Sequence, residues 1–86
     1  MEALDGNAIA GALQAVYGVD MTVQAGRCRH CGTASCIAEL AVYRRAPGMV
    51  ARCRTCASVV MVLVEIRDDT RANLDGFALD APPPAA

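Results

Sequence analysis

The sequence predicts a small α+β protein, with one N-terminal helix (about residues 5–17) followed by a three- to five-stranded antiparallel sheet. Three observations lead there. The phrase Arg-Cys-Arg-X-Cys occurs twice, as Arg27-Cys28-Arg29-His30-Cys31 and as Arg52-Cys53-Arg54-Thr55-Cys56, with twenty-one residues between the two Cys-X-X-Cys pairs. Apolar residues recur at helical spacing before the first pair, and short β-rich runs flank the second. Two Cys-X-X-Cys turns brought together by a hairpin complete a tetrahedral shell of four thiolates. That is the zinc-ribbon pattern, with a spacing just beyond the usual ~15–20 residues.

The helix is read from Ile9, Leu13, Val16 and Tyr17, which share one face at three- and four-residue steps. Asp5 or Asn7 offers an N-cap, and Gly18 sits where a left-handed terminal residue is wanted. Met21-Thr22-Val23 is a candidate strand leading into the first knuckle. Gly32 after Cys31 suits a positive φ, while Ala57 departs from that pattern in the second knuckle. Ile37–Tyr43 and Met49–Arg52 are strand candidates joined by the turn signal Pro47-Gly48. Ser58–Arg67 is the longest strand, with Val60, Val62, Val64 and Ile66 on one face and Val59, Met61 and Leu63 on the other. A strand apolar on both sides belongs inside its sheet. Asp68-Asp69 turns the chain into a weaker strand at 71–74. Residues 1–80 are read as one domain, and 81–86, with three consecutive prolines, as a disordered tail.

A chain of 86 residues buries a limited core, and a structural metal is a natural support for it. Only Tyr17, Tyr43 and Phe77 are aromatic, so the core rests on aliphatic side chains. No basic segment followed by an apolar run opens the chain, and the longest apolar stretch, Val59–Val64, is too short to span a bilayer. A soluble, cytoplasmic protein is expected. In a reducing compartment paired cysteines favour metal over disulfides, and five cysteines suit four ligands plus one spare. All basic residues are Arg, which suggests a GC-rich bacterial genome. Net charge is −3 over residues 1–26, +5 over 27–54 and −3 over 55–86, so the middle third is a basic island.

Cys28, Cys31, Cys53 and Cys56 are the expected ligands of one Zn²⁺ per chain. Zinc is preferred to iron because rubredoxin-like sites are set in aromatic cores. His30 reads as a solvent-facing knuckle tip and Cys36 as a small strand-start residue, neither of them a ligand. Arg27, Arg29, Arg52 and Arg54 bracket the first cysteine of each pair. They either relieve the −2 charge of zinc with four thiolates or, with Arg44 and Arg45, grip nucleic-acid phosphates. Catalysis is not expected: there is one His, no nucleophile–base pairing and no Gly-rich phosphate loop, and a closed thiolate shell cannot activate water.

Leu4-Asp5-Gly6-Asn7-Ala8 before a helix, a Cys-X-X-Cys-Gly turn, Arg45-Ala46-Pro47-Gly48 and a second Cys-X-X-Cys leading into a valine-rich strand together carry a resemblance. Over roughly residues 4–80 the chain resembles a family of small actinobacterial zinc-ribbon proteins known only as a domain of unknown function. The resemblance implies a zinc ribbon with an N-terminal helix and brings no activity. Two function classes follow from the residues. One is a binding module that contacts nucleic acid or the transcription machinery through its arginine-rich knuckles. The other is a protein-interaction or assembly module, monomer or homodimer, presenting an apolar sheet face at Met61 and Leu63, or at Tyr43 and Met49 on neighbouring strands.

Overall fold

The computed structural model describes residues 3–45 and 48–81. The expected Pro47-Gly48 turn therefore falls partly outside the described residues, as does all of the expected tail except Ala81. The helical segment opens on Asp5, whose carboxylate accepts from the Asn7 amide at 3.0 Å. A 3₁₀ turn, Gly6–Ile9, runs into α1, Ala10–Tyr17. Gly18 ends it at φ 79°, its amide donating to the Gln14 carbonyl at 2.7 Å. Both ends lie where capping chemistry puts them.

Seven strands follow among the described residues: β1 Ala25–Cys28, β2 Ala34–Cys36, β3 Ala41–Arg45, β4 Gly48–Arg52, β5 Val59–Ile66, β6 Asp69–Asn73 and β7 Phe77–Leu79. They make two antiparallel sheets, β2-β1-β7 and β3-β4-β5-β6, which corrects the single sheet expected from sequence. The cause is β7. Phe77 pairs with Cys28 and Leu79 with Gly26, so the chain returns to the first knuckle after finishing the larger sheet.

Two strand boundaries also differ. Met21–Val23 is a turn, because the Asp20 carboxylate accepts from the Thr22 amide at 2.9 Å and from its hydroxyl at 2.6 Å. A side chain that captures the backbone locally diverts it from a ladder. Ile37–Glu39 is a 3₁₀ turn, held by the Glu39 carboxylate accepting from the Cys36 amide at 2.8 Å. Strand structure resumes at Ala41.

The larger sheet has an inner and an outer face. Ile9, Ala12 and Leu13 cluster with Val42, Met49, Ala51, Met61 and Leu63, all of them buried. Each fully buried Leu or Ile contributes ~1.5–3 kcal/mol by leaving water, so this layer carries much of the fold. Met49, Met61 and Leu63 are thus core residues, and the expectation that they present a free face is corrected. The helix lies on their side. The opposite face carries Tyr43, Val50, Val62, Val64 and Ile66, with Val62 39% and Ile66 58% exposed and the other three half-buried. A register shift between Ala51 and Arg52 sets Val59 opposite Arg52, which leaves Val60 buried and breaks the predicted alternation at that end.

Candidate metal centre

Each Cys-X-X-Cys follows a strand or a strand end, and the fold sets the two knuckles against each other. The Sγ atoms of Cys28, Cys31, Cys53 and Cys56 all lie within 4.8 Å of one another. Cys28 and Cys56 are 3.7 Å apart, as are Cys31 and Cys53. A tetrahedral ion with sulfur at ~2.3 Å requires ligand–ligand edges of about 3.8 Å. The two inter-knuckle distances match that edge, so the donor set fits one metal ion.

The knuckles are built alike, bond for bond. The Gly32 amide donates to the Cys28 carbonyl at 2.8 Å, and the Ala57 amide to the Cys53 carbonyl at 2.8 Å. His30 and Thr55 donate backbone N–H to the sulfurs of Cys28 and Cys53, each at 3.4 Å. Cys28 N–H bonds the Thr33 carbonyl and Cys53 N–H the Ser58 carbonyl, each at 3.0 Å. The closing residue needs a positive φ, 78° at Gly32 and 64° at Ala57. Ala57 therefore adopts the same left-handed turn as Gly32 and does not reshape the knuckle. It does so against the usual cost for a residue with a Cβ.

Burial is also twinned. The first cysteine of each pair is buried and the second exposed. Burial pushes the Cys28 thiol above its ordinary pKa. The exposed pair moves the other way: the Thr33 hydroxyl, 3.1 Å from Cys31 Sγ, and then the Thr33 amide lower Cys31. The Ser58 hydroxyl and amide do the same at Cys56, bringing it to about 6. Thr33 and Ser58 are site residues that the sequence reading missed. The signal was present, because the repeat continues past the second cysteine as small residue then hydroxyl, Gly32-Thr33 and Ala57-Ser58.

The arginines divide into two groups. The Arg27 guanidinium donates to the Gly32 carbonyl at 3.4 Å, and Arg52 makes the equivalent bond to the Ala57 carbonyl at 2.8 Å. Arg54 donates through Nε to the Glu39 carbonyl at 2.8 Å, tying the second knuckle to the 3₁₀ turn. Arg29, Arg44 and Arg45 are exposed. His30 is exposed at the knuckle tip, and Cys36 stands outside the cysteine cluster, at the start of the 3₁₀ turn. No helix among the described residues is long and apolar enough to cross a membrane.

No curated protein and no solved structure matches the chain. A family model does, over residues 1–84, nearly the whole sequence. The chain belongs to that family, DUF6510, a family of unknown function.

Proposed function

We propose that this chain is a non-catalytic zinc module of the zinc-ribbon kind, in which one Zn²⁺ held by Cys28, Cys31, Cys53 and Cys56 fixes a platform for a protein partner. The observation that carries the reading is the pair of 3.7 Å sulfur–sulfur distances, each joining one knuckle to the other. Four thiolates with no open position suit a structural ion and leave no place for activated water. Zinc is favoured over iron by the aliphatic core, which offers no aromatic cage. Paired, unbridged cysteines suit the reducing interior of a bacterial cell.

The partner class follows from what the arginines do. Arg27, Arg52 and Arg54 bond carbonyls of the knuckles and of the adjoining turn, a structural task that includes charge balance for the thiolates. That leaves Arg29, Arg44 and Arg45 for phosphates, a thin patch on a chain of net charge −1. The apolar outer sheet face is the stronger support, and it favours protein contact over nucleic acid.

The test is elemental analysis of purified protein, followed by strong chelation monitored by NMR. About one zinc per chain is expected, and its removal should collapse the dispersed signals of residues 19–67. Iron in place of zinc, or an unchanged spectrum in verified metal-free protein, would overturn the reading. Steeply salt-dependent binding to generic DNA or RNA, lost on changing Arg29, Arg44 and Arg45 together to Gln, would return the partner to nucleic acid.

A further inference from the structure

We infer that the second knuckle carries a carboxylate-binding cavity, in which Arg52 and Arg54 take an Asp or Glu side chain of the protein partner. The inference rests on the protein-binding reading above and names the chemistry by which the module recognises that partner. The cavity measures about 170 Å³ and is lined by Arg52, Arg54 and Tyr43, with Ala3, Ala41 and Ala57 as its apolar walls. No acidic side chain among the described residues lines it.

Both guanidinium groups are fixed in place with donors to spare. Arg52 bonds the Ala57 carbonyl at 2.8 Å, and Arg54 bonds the Glu39 carbonyl through Nε at 2.8 Å. Among the described residues each makes that one side-chain bond, and a guanidinium has several more N–H donors than one bond uses. A side chain already held in position loses less freedom when a ligand arrives. Neither arginine has a carboxylate partner: the one ion pair among the described residues joins Arg71 to Asp69. The Glu39 carboxylate is engaged elsewhere, accepting from the Cys36 amide at 2.8 Å. Arg27, Arg29, Arg52 and Arg54 together also outnumber the two negative charges of a zinc–thiolate shell, so positive charge is left for a ligand.

The size of the cavity selects the ligand. Sites that enclose a whole small molecule run to ~300–1,000 Å³, so this one admits a single end group of something larger. Guanidinium forks match the paired oxygens of a carboxylate. Asp and Glu carry that group at the tip of a short apolar stem, which suits alanine walls. A phosphodiester is held within its strand and offers no such slender end. The first knuckle repeats the sequence without the same fixing: Arg27 bonds the Gly32 carbonyl at 3.4 Å, and Arg29 makes no guanidinium bond among the described residues. Arg29, the counterpart of Arg54, is therefore the internal control.

NMR titration of the full, metal-loaded chain with the blocked peptide acetyl-Gly-Glu-Gly-amide tests this, with metal content measured on the same sample. Saturable shifts are expected at the Arg52 and Arg54 side-chain Nε–H signals and at the Ala57 amide, with a Kd on the order of 1 mM. The matching Gln peptide should move none of them. Arg54→Gln should weaken binding about tenfold by removing charge-assisted hydrogen bonds, while Arg29→Gln leaves it unchanged. Should Arg54→Gln fail to fold, the wild-type shift map decides alone. Equal responses to the Glu and Gln peptides, or shifts centred on Arg29, Arg44 or Arg45, would overturn the cavity. Inorganic phosphate saturating the same signals more tightly than the Glu peptide would overturn the carboxylate assignment. Glu-peptide binding by a folded chain that holds no zinc would refute the zinc reading and leave the cavity standing.

Discussion

Ala57 closes the second knuckle at φ 64°, a conformation that Gly32 supplies in the first at φ 78°. For a residue with a Cβ the left-handed region costs roughly 1–2 kcal/mol, which Gly avoids. Gly loses ~0.4–1 kcal/mol more entropy on folding than Ala. The difference predicts that Ala57→Gly stabilises the zinc-loaded protein by about 0.5–1 kcal/mol, with bonds to Cys53 and Arg52 kept. In a domain of this size that raises Tm by about 2–8 °C. Gly32→Ala is the mirror experiment, and it is a clean one: a Cβ at Gly32 meets nothing within 4 Å, so only the backbone term changes. It should lower Tm by a similar amount. Circular-dichroism melts of both variants at equal protein and zinc concentration measure the pair. A lower Tm for Ala57→Gly, or a neutral Gly32→Ala, would refute the equivalence of the two knuckles.

Three further outcomes are expected. Ser58→Ala removes the hydroxyl that does most to hold Cys56 at about 6, so the thiol rises toward its ordinary value of 9.0. The stability owed to the wild-type thiolate in metal-free protein is complete above the ordinary value and is lost as pH falls through about 6. The variant should therefore release zinc to a competing chelator at a higher pH than wild type, and coincident release curves would count against this role for Ser58. Leu63→Ala, at a fully buried core position, should cost ~2–5 kcal/mol in denaturant unfolding, whereas Val62→Ala on the outer face of the isolated chain should cost under ~1 kcal/mol. Equal losses would mean that the two faces of β5 have been assigned the wrong way round. Arg27→Gln with Arg52→Gln should speed zinc loss by removing the two guanidinium bonds that close the knuckles, while Arg44→Gln with Arg45→Gln should not; the rate of transfer to a chromophoric chelator compares them.

The parts of this fold that announce themselves in sequence are those whose signals are local. Asp5 and Gly18 bound a segment with helical apolar spacing, and the helix begins and ends there. The cysteine cluster was legible because a repeated Cys-X-X-Cys has few other uses. β5 was legible because eight residues of mostly branched apolar side chains have strong strand preference. The second sheet was not. β2 and β7 have three residues each and β1 four, too few for a period to show, and β7 pairs with a strand some fifty positions earlier. Two turns were hidden because acidic side chains make them, Asp20 at Thr22 and Glu39 at Cys36. Which side of β5 meets the helix was also beyond reach, since both sides are apolar and the register shift at Arg52 leaves no trace in composition.

X-ray absorption at the zinc edge of protein purified without added metal tests the central claim most directly. Four cysteines converging at 3.7 Å inter-knuckle distances predict zinc in a shell of four sulfurs at ~2.3 Å, with no nitrogen or oxygen neighbour. The same spectrum should survive His30→Ala and Cys36→Ser, because neither residue belongs to the cluster. A mixed sulfur and nitrogen shell, fewer than four sulfurs, or a sample holding no zinc at all would contradict it.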